Sequence, residues 1–154
     1  VLVGAFASYR GNRVAMEFWE SAVSRLADPI DSGFVREFQE STLAQPVPPA
    51  FLDRIVQESL KVPARVWRAA FEGFLEDDFA GELNRIKAPT LILWGDRDGL
   101  CSRGDQDALL GSINGSQLVV YEGAGHGPHW EEPERFAADL VAFSKRLVTG
   151  EEIT

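Results

Sequence analysis

The spacing of apolar residues changes period twice along this chain. It opens on Val1-Leu2-Val3-Gly4-Ala5-Phe6, a continuous apolar run that predicts a buried strand ending near Ala7-Ser8. Because a buried parallel strand needs neighbours, this start reads as the interior of a sheet, and further polypeptide is expected before Val1. From about Tyr9 to Leu83 the period is helical, with no convincing alternating strand. Phe34, Val35 and Phe38 follow Asp31-Ser32-Gly33 at helical spacing, and Phe51, Leu52, Ile55, Val56 and Leu60 repeat the pattern after Pro48-Pro49. Pro63 suits a helix start, after which Val66, Trp67, Ala70, Phe71, Phe74 and Leu75 mark a wide aromatic face, expected to pack as core.

Beyond Leu83 short runs replace the helical stripes. Thr90-Leu91-Ile92-Leu93-Trp94 is the continuous apolar segment of a strand buried on both faces, followed by a turn at Gly95-Asp96-Arg97-Asp98-Gly99. Ser102 and Asp105 have capping-box spacing, and Ala108, Leu109, Leu110 and Ile113 supply a short helix that Gly111, Asn114 and Gly115 end. Gln117-Leu118-Val119-Val120-Tyr121 predicts a second strand, then comes the loop Gly123-Ala124-Gly125-His126-Gly127. Pro133 marks the start of a last helix around Phe136, Leu140, Phe143 and Leu147. Strand, helix, strand within so short a stretch predicts a βαβ unit with parallel strands.

Composition narrows the choice of partner. The 154 residues, 45% of them hydrophobic, suffice for one ordinary domain with its own core. A formal charge of −9 argues against nucleic acid or an anionic membrane surface, both of which select basic footprints. No stretch has the length of an apolar membrane span, and no signal segment opens the chain. A lone cysteine, Cys101, excludes an internal disulfide and fits a reducing, cytoplasmic setting. No spacing of His, Cys or carboxylates suggests a metal site, and no cofactor is expected. The glycines of the 123–127 loop do not make a dinucleotide fingerprint, because Pro128 stands where Gly-x-Gly-x-x-Gly needs its last glycine.

If the two strands are parallel, their C-terminal ends share the sheet edge at which open α/β folds bind ligands. Asp98 and His126 each follow one such end. A carboxylate beside an imidazole there is the orienting pair of a catalytic triad, in which the acid fixes the tautomer and stabilises the imidazolium formed in the reaction.

The segment Pro89-Thr-Leu-Ile-Leu-Trp-Gly-Asp-Arg-Asp98, then Gly123-Ala-Gly-His126, then Glu131-Glu-Pro-Glu-Arg-Phe136, resembles the C-terminal half of an α/β-hydrolase. The resemblance implies an α/β fold: the C-terminal portion of an α/β-hydrolase parallel sheet carrying an inserted helical lid. Residues 1–8 would be a core strand, 9–83 the helical lid or cap, and 84–154 the C-terminal part of the core. It also implies Asp98 as the triad acid and His126 as general base. Asp96, in the same turn, is the competing acid, and His129 the competing histidine, expected instead at the lid side or in packing. Trp130 fits equally a pocket mouth or a cover for the last helix. Cys101 reads as a small buried hydrophobe, since nothing in the sequence brings His126 to it.

No nucleophile elbow Gly-x-Ser-x-Gly precedes the acid and the histidine. Gly111-Ser112-Ile113-Asn114-Gly115 has the wrong spacing and ends a helix. The resemblance therefore implies a serine esterase-type enzyme acting on a small-molecule ester when intact, with this chain a truncated portion lacking its nucleophile. Two alternatives stand beside it: an epoxide hydrolase or dehalogenase with an aspartate nucleophile, and a non-catalytic interaction fragment offering its aromatic helical face to a partner.

Overall fold

A computed structural model describes residues 1–149. They fall into two compact units, each built from separate stretches of chain: Ala7–Ser41 with Pro48–Gly81, and Val1–Phe6 with Thr42–Val47 and the chain from Glu82.

The first unit is helical. Its helices are α1 (Arg13–Ser21), α2 (Ser32–Ser41), α3 (Pro49–Ser59) and α4 (Ala64–Glu76). Side-chain oxygens serve the amides that a helix start leaves unpaired: Asn12 accepts from Ala15 N (3.0 Å), Asp31 from Phe34 N (2.9 Å) and Asp28 from Ala64 N (2.8 Å). Pro49, which lacks an amide hydrogen, opens α3. Ile30, Val35, Val56 and Ala64 form the buried centre, with Leu52, Leu60 and Trp67 packed on it. The aromatic face of α4 is narrower than its composition suggests. Ala64, Trp67, Phe71 and Leu75 lie at least partly buried, and Phe71 meets Phe18 (5.6 Å) while Trp67 meets Phe38 (5.5 Å). Val66, Ala70 and Phe74, one step round the helix, are exposed. The two ends of the unit meet, with Ser8 bridging Asp78 in antiparallel fashion and Phe79 N donating to Ala7 O (2.9 Å).

The second unit carries a parallel sheet in the order β1 (Leu2–Val3), β2 (Leu91–Gly95), β3 (Gln117–Tyr121). Leu2 pairs with Ile92, and β3 runs in register from Leu91↔Gln117 to Gly95↔Tyr121. Every residue of β2 is buried, as its unbroken apolar sequence requires of a central strand. Helix α5 (Arg103–Ser112) links β2 to β3 and starts at the capping box of Ser102 and Asp105. The one-turn α6 (Pro128–Glu131) and the long α7 (Pro133–Thr149) follow β3. Leu91, Leu93, Tyr121, Ala124 and Phe143 form the core of this unit. Tyr121 also ties β3 to α7: its hydroxyl donates to Asp139 (2.6 Å), and the Arg135 guanidinium lies 4.0 Å from its ring centre.

The opening strand is shorter than its apolar run predicts, ending at Val3 rather than near Ser8. Gly4 adopts φ +50°, a left-handed conformation that glycine tolerates, after its N–H has donated to Leu93 O (3.0 Å). The next two carbonyls then leave the ladder for side chains. The Cys101 thiol donates to Gly4 O (3.0 Å) and the Gln106 amide to Ala5 O (2.9 Å).

Candidate active site

Two loops leave the C-terminal ends of β2 and β3 and meet through their backbones. Asp96 N donates to Tyr121 O (3.1 Å) and Arg97 N to Ala124 O (3.0 Å). A Cβ on Gly95 would lie 2.2 Å from Gly125 O and 2.3 Å from Ala124 O, so only glycine lets the loops approach this closely. Asp96 is exposed, and its Oδ1 accepts from Gly123 N (2.6 Å), which makes it a strut between the loops.

Asp98 turns the other way. Its side chain is fully buried; Oδ1 accepts from Leu100 N (2.8 Å) and Cys101 N (3.0 Å), while Oδ2 lies 2.9 Å from His126 Nδ1. A carboxylate that already accepts two backbone amides is the acceptor toward the ring, which assigns the ring proton to Nδ1 and leaves a lone pair at Nε2. The histidine is fixed from its other side as well. His126 N donates to Thr42 O (2.8 Å), and the ring stands where a side chain on Gly4 would be, 2.8 Å from Nδ1 to the Cβ position. With 31% of its side chain exposed, the imidazole is still reachable. An oriented acid, one defined tautomer and an accessible base are what proton transfer requires.

His129, on α6, is placed differently. Its ring packs against Trp130 (4.8 Å between centroids) and Phe136 (5.6 Å), and its Nδ1 is buried without a hydrogen-bond partner among the described residues. Burial first, and then the nearby His126, push its pKa below the usual histidine value. Cys101 is fully buried, in keeping with a small hydrophobe, yet the fold brings it closer to the histidine than the sequence indicates. Donor atoms of Asp98, Cys101 and His126 lie within 4.8 Å of one another, a trio able to hold a metal ion that spacing alone did not suggest. Residues 98, 101 and 126 come from two loops, so only the folded chain assembles the set. The Ser112 segment closes α5, as its glycines indicate.

One residue near the site escaped the sequence reading. Glu131 accepts from Gly125 N (2.9 Å), Ala44 N (3.1 Å) and Gln45 N (2.6 Å). Its position in the Glu131–Phe136 motif is visible in the sequence, but two of its three amide partners lie on the segment that joins α2 to α3.

Comparisons with known proteins agree with this architecture. The profile of the alpha/beta hydrolase family matches residues 1–139. Over 69 residues the chain is 38% identical to a 2-hydroxy-6-oxononadienedioate/2-hydroxy-6-oxononatrienedioate hydrolase of Klebsiella pneumoniae subsp. pneumoniae, a match covering 45% of this chain and 24% of that protein. It is 35% identical over 69 residues to monoacylglycerol lipase abhd6-A of Xenopus laevis, covering 45% of this chain and 20% of the lipase. Among solved structures, an esterase from Exiguobacterium antarcticum superposes with a TM-score of 0.80 at 23% identity, over 94% of this chain and 56% of the esterase. A thermophilic esterase from Thermogutta terrifontis gives 0.75 at 26% identity, over 94% and 54%. The chain thus spans about half the length of these solved structures, and its matched stretch about a quarter of the curated relatives. No helix among the described residues is long and apolar enough to cross a membrane. With a parallel sheet, acid and histidine loops at its C-terminal edge and a family profile that matches nearly its whole length, the chain belongs to the alpha/beta hydrolase family.

Proposed function

We propose that this chain supplies the acid and base of a hydrolase that cleaves a small-molecule ester through an acyl-enzyme. The observation that carries the reading is the 2.9 Å contact between the buried Asp98 carboxylate and His126 Nδ1. His126 Nε2 takes the proton from the nucleophile as it attacks the ester carbonyl, then returns it to the leaving alcohol. In the second half-reaction it takes a proton from the water that attacks the acyl carbonyl and returns it to the nucleophile as the bond to the acid breaks. Asp98 holds the Nδ1–H tautomer throughout and stabilises the imidazolium. The nucleophile is contributed by polypeptide outside these 154 residues, which hold no Gly-x-Ser-x-Gly. The helical unit is the counterpart of the family's lid, a reading supported by its place between β1 and β2 in the chain. An ester is the substrate class favoured by the esterase and lipase relatives.

The test is turnover of an activated short-chain ester. The 154-residue chain alone is expected to be nearly inactive. Fused behind an α/β-hydrolase N-terminal half that bears a serine elbow, it should turn the ester over. In that fusion His126→Ala should abolish turnover, His129→Ala should leave most of it, and Asp98→Asn should cost on the order of ten-thousand-fold, by analogy with the tautomer effect in serine proteases. Equal turnover before and after His126→Ala would sink the reading.

A further inference from the structure

We infer that Glu131 is a positioning residue for His126, acting through the segment Thr42–Val47 that joins α2 to α3. The inference rests on the catalytic role proposed for His126. Three observations carry it. The Glu131 carboxylate gathers three backbone amides from two distant stretches: Gly125 N on the histidine loop, at 2.9 Å from one oxygen and 3.1 Å from the other, and Ala44 N (3.1 Å) and Gln45 N (2.6 Å) on the joining segment. The same segment returns a bond to the histidine itself, since Thr42 O accepts from His126 N (2.8 Å). Glu131 is in turn held at a set distance from the loop, because α6 begins directly after Gly127, whose carbonyl accepts from Glu131 N (3.0 Å).

These contacts close a ring: Glu131 to Ala44 and Gln45, along the chain to Thr42, across to His126, and back through Gly125 to Glu131. A carboxylate accepting several amides makes charge-assisted bonds, stronger than neutral ones. Without it, the amides of Ala44, Gln45 and Gly125 lose their shared acceptor. The Asp98 contact alone fixes one end of the imidazole. The ring of backbone bonds fixes the other, so that the Nδ1–H points at Asp98 and Nε2 at the reacting atoms. Glu131 reaches His126 through backbone alone, that of residues 42–45 on one side and of residues 125 and 126 on the other.

The experiment reads geometry on the 154-residue chain itself, so it is independent of whether the chain hydrolyses anything. Amide hydrogen exchange is measured by NMR for Ala44, Gln45, Gly125 and His126, together with the downfield His126 Nδ1 proton. In the unmodified chain the four amides should exchange as one opening unit. In Glu131→Ala their exchange should quicken by roughly tenfold to a hundredfold, and the Nδ1 proton should broaden into exchange with water. The amides of β2 should keep their protection. Glu131→Gln, which retains a carbonyl oxygen as acceptor, should restore the Nδ1 proton largely, whereas Tyr121→Phe, which removes a bond of the same unit away from the loop, should leave it unchanged. Should Glu131→Ala unfold the unit, the unmodified chain decides: four amides with a common opening rate support the inference, and a His126 amide that opens independently of Ala44 and Gln45 overturns it. A folded Glu131→Ala with an unchanged Nδ1 proton overturns it equally. Failure of the ester assay with these signals intact would count against the hydrolase reading alone.

Discussion

Gly95 stands where the acid loop and the histidine loop touch, and the carbonyls of Ala124 and Gly125 fill the space that any side chain would need. Backbone atoms cannot rotate aside as the end of a side chain can. Gly95→Ala should therefore destabilise the chain by at least about 1–3 kcal/mol, the usual cost of overpacking, and an unchanged denaturation midpoint would show that the loops can part. His129 makes a prediction in pH. Its folded pKa lies below the ordinary value, chiefly through burial, so the unfolded chain binds the proton more readily. Its contribution to stability is then complete above about pH 6.5 and declines as the pH falls below that value. Between about pH 7.5 and about pH 5.5 the urea midpoint should drop, and His129→Phe should lessen the drop; identical slopes in both proteins would exclude His129 as the source. Asp98 and His126 were legible as candidates because each follows a strand end in the sequence. What separates Asp98 from Asp96 is direction. Both are turn aspartates two residues apart, and one faces the imidazole while the other braces Gly123.

The helices show where a periodic pattern overstates burial. Six apolar residues on α4 suggested one broad inward face, but an i, i+3, i+4 row fills the space available, and it falls on Ala64, Trp67, Phe71 and Leu75. The sequence counts apolar residues without knowing how much neighbouring surface will meet them. Trp67→Ala should accordingly cost about 3 kcal/mol, and Phe74→Ala, which loses an edge contact with Phe71 (6.3 Å), no more than about 1.5 kcal/mol. Comparable losses at both positions in urea titrations would mean that the outer row is covered too. The strands divide in the same way. The central β2 was plain from its unbroken apolar run, whereas β1 was overestimated because the donors that draw the Gly4 and Ala5 carbonyls away, Cys101 and Gln106, lie about a hundred residues later in the chain. Helix α6, a single turn opened by Pro128, was too short to leave a periodic signal.

Across the whole molecule the chain passes between its two units four times, at Phe6–Ala7, Ser41–Thr42, Val47–Pro48 and Gly81–Glu82. The first and last passages suggest a module that could be lifted out whole, since Ser8 and Asp78 pair where it starts and ends. The middle two make that impression misleading. A designer grafting the helical module of one family member onto another at residues 7 and 81 would also import a foreign stretch in place of Thr42–Val47, and with it a new acceptor for the His126 amide. A change meant for the helical module alone would then disturb the backbone that holds His126. The remedy is to splice the chimera at four junctions, keeping residues 42–47 with the protein that contributes Glu131.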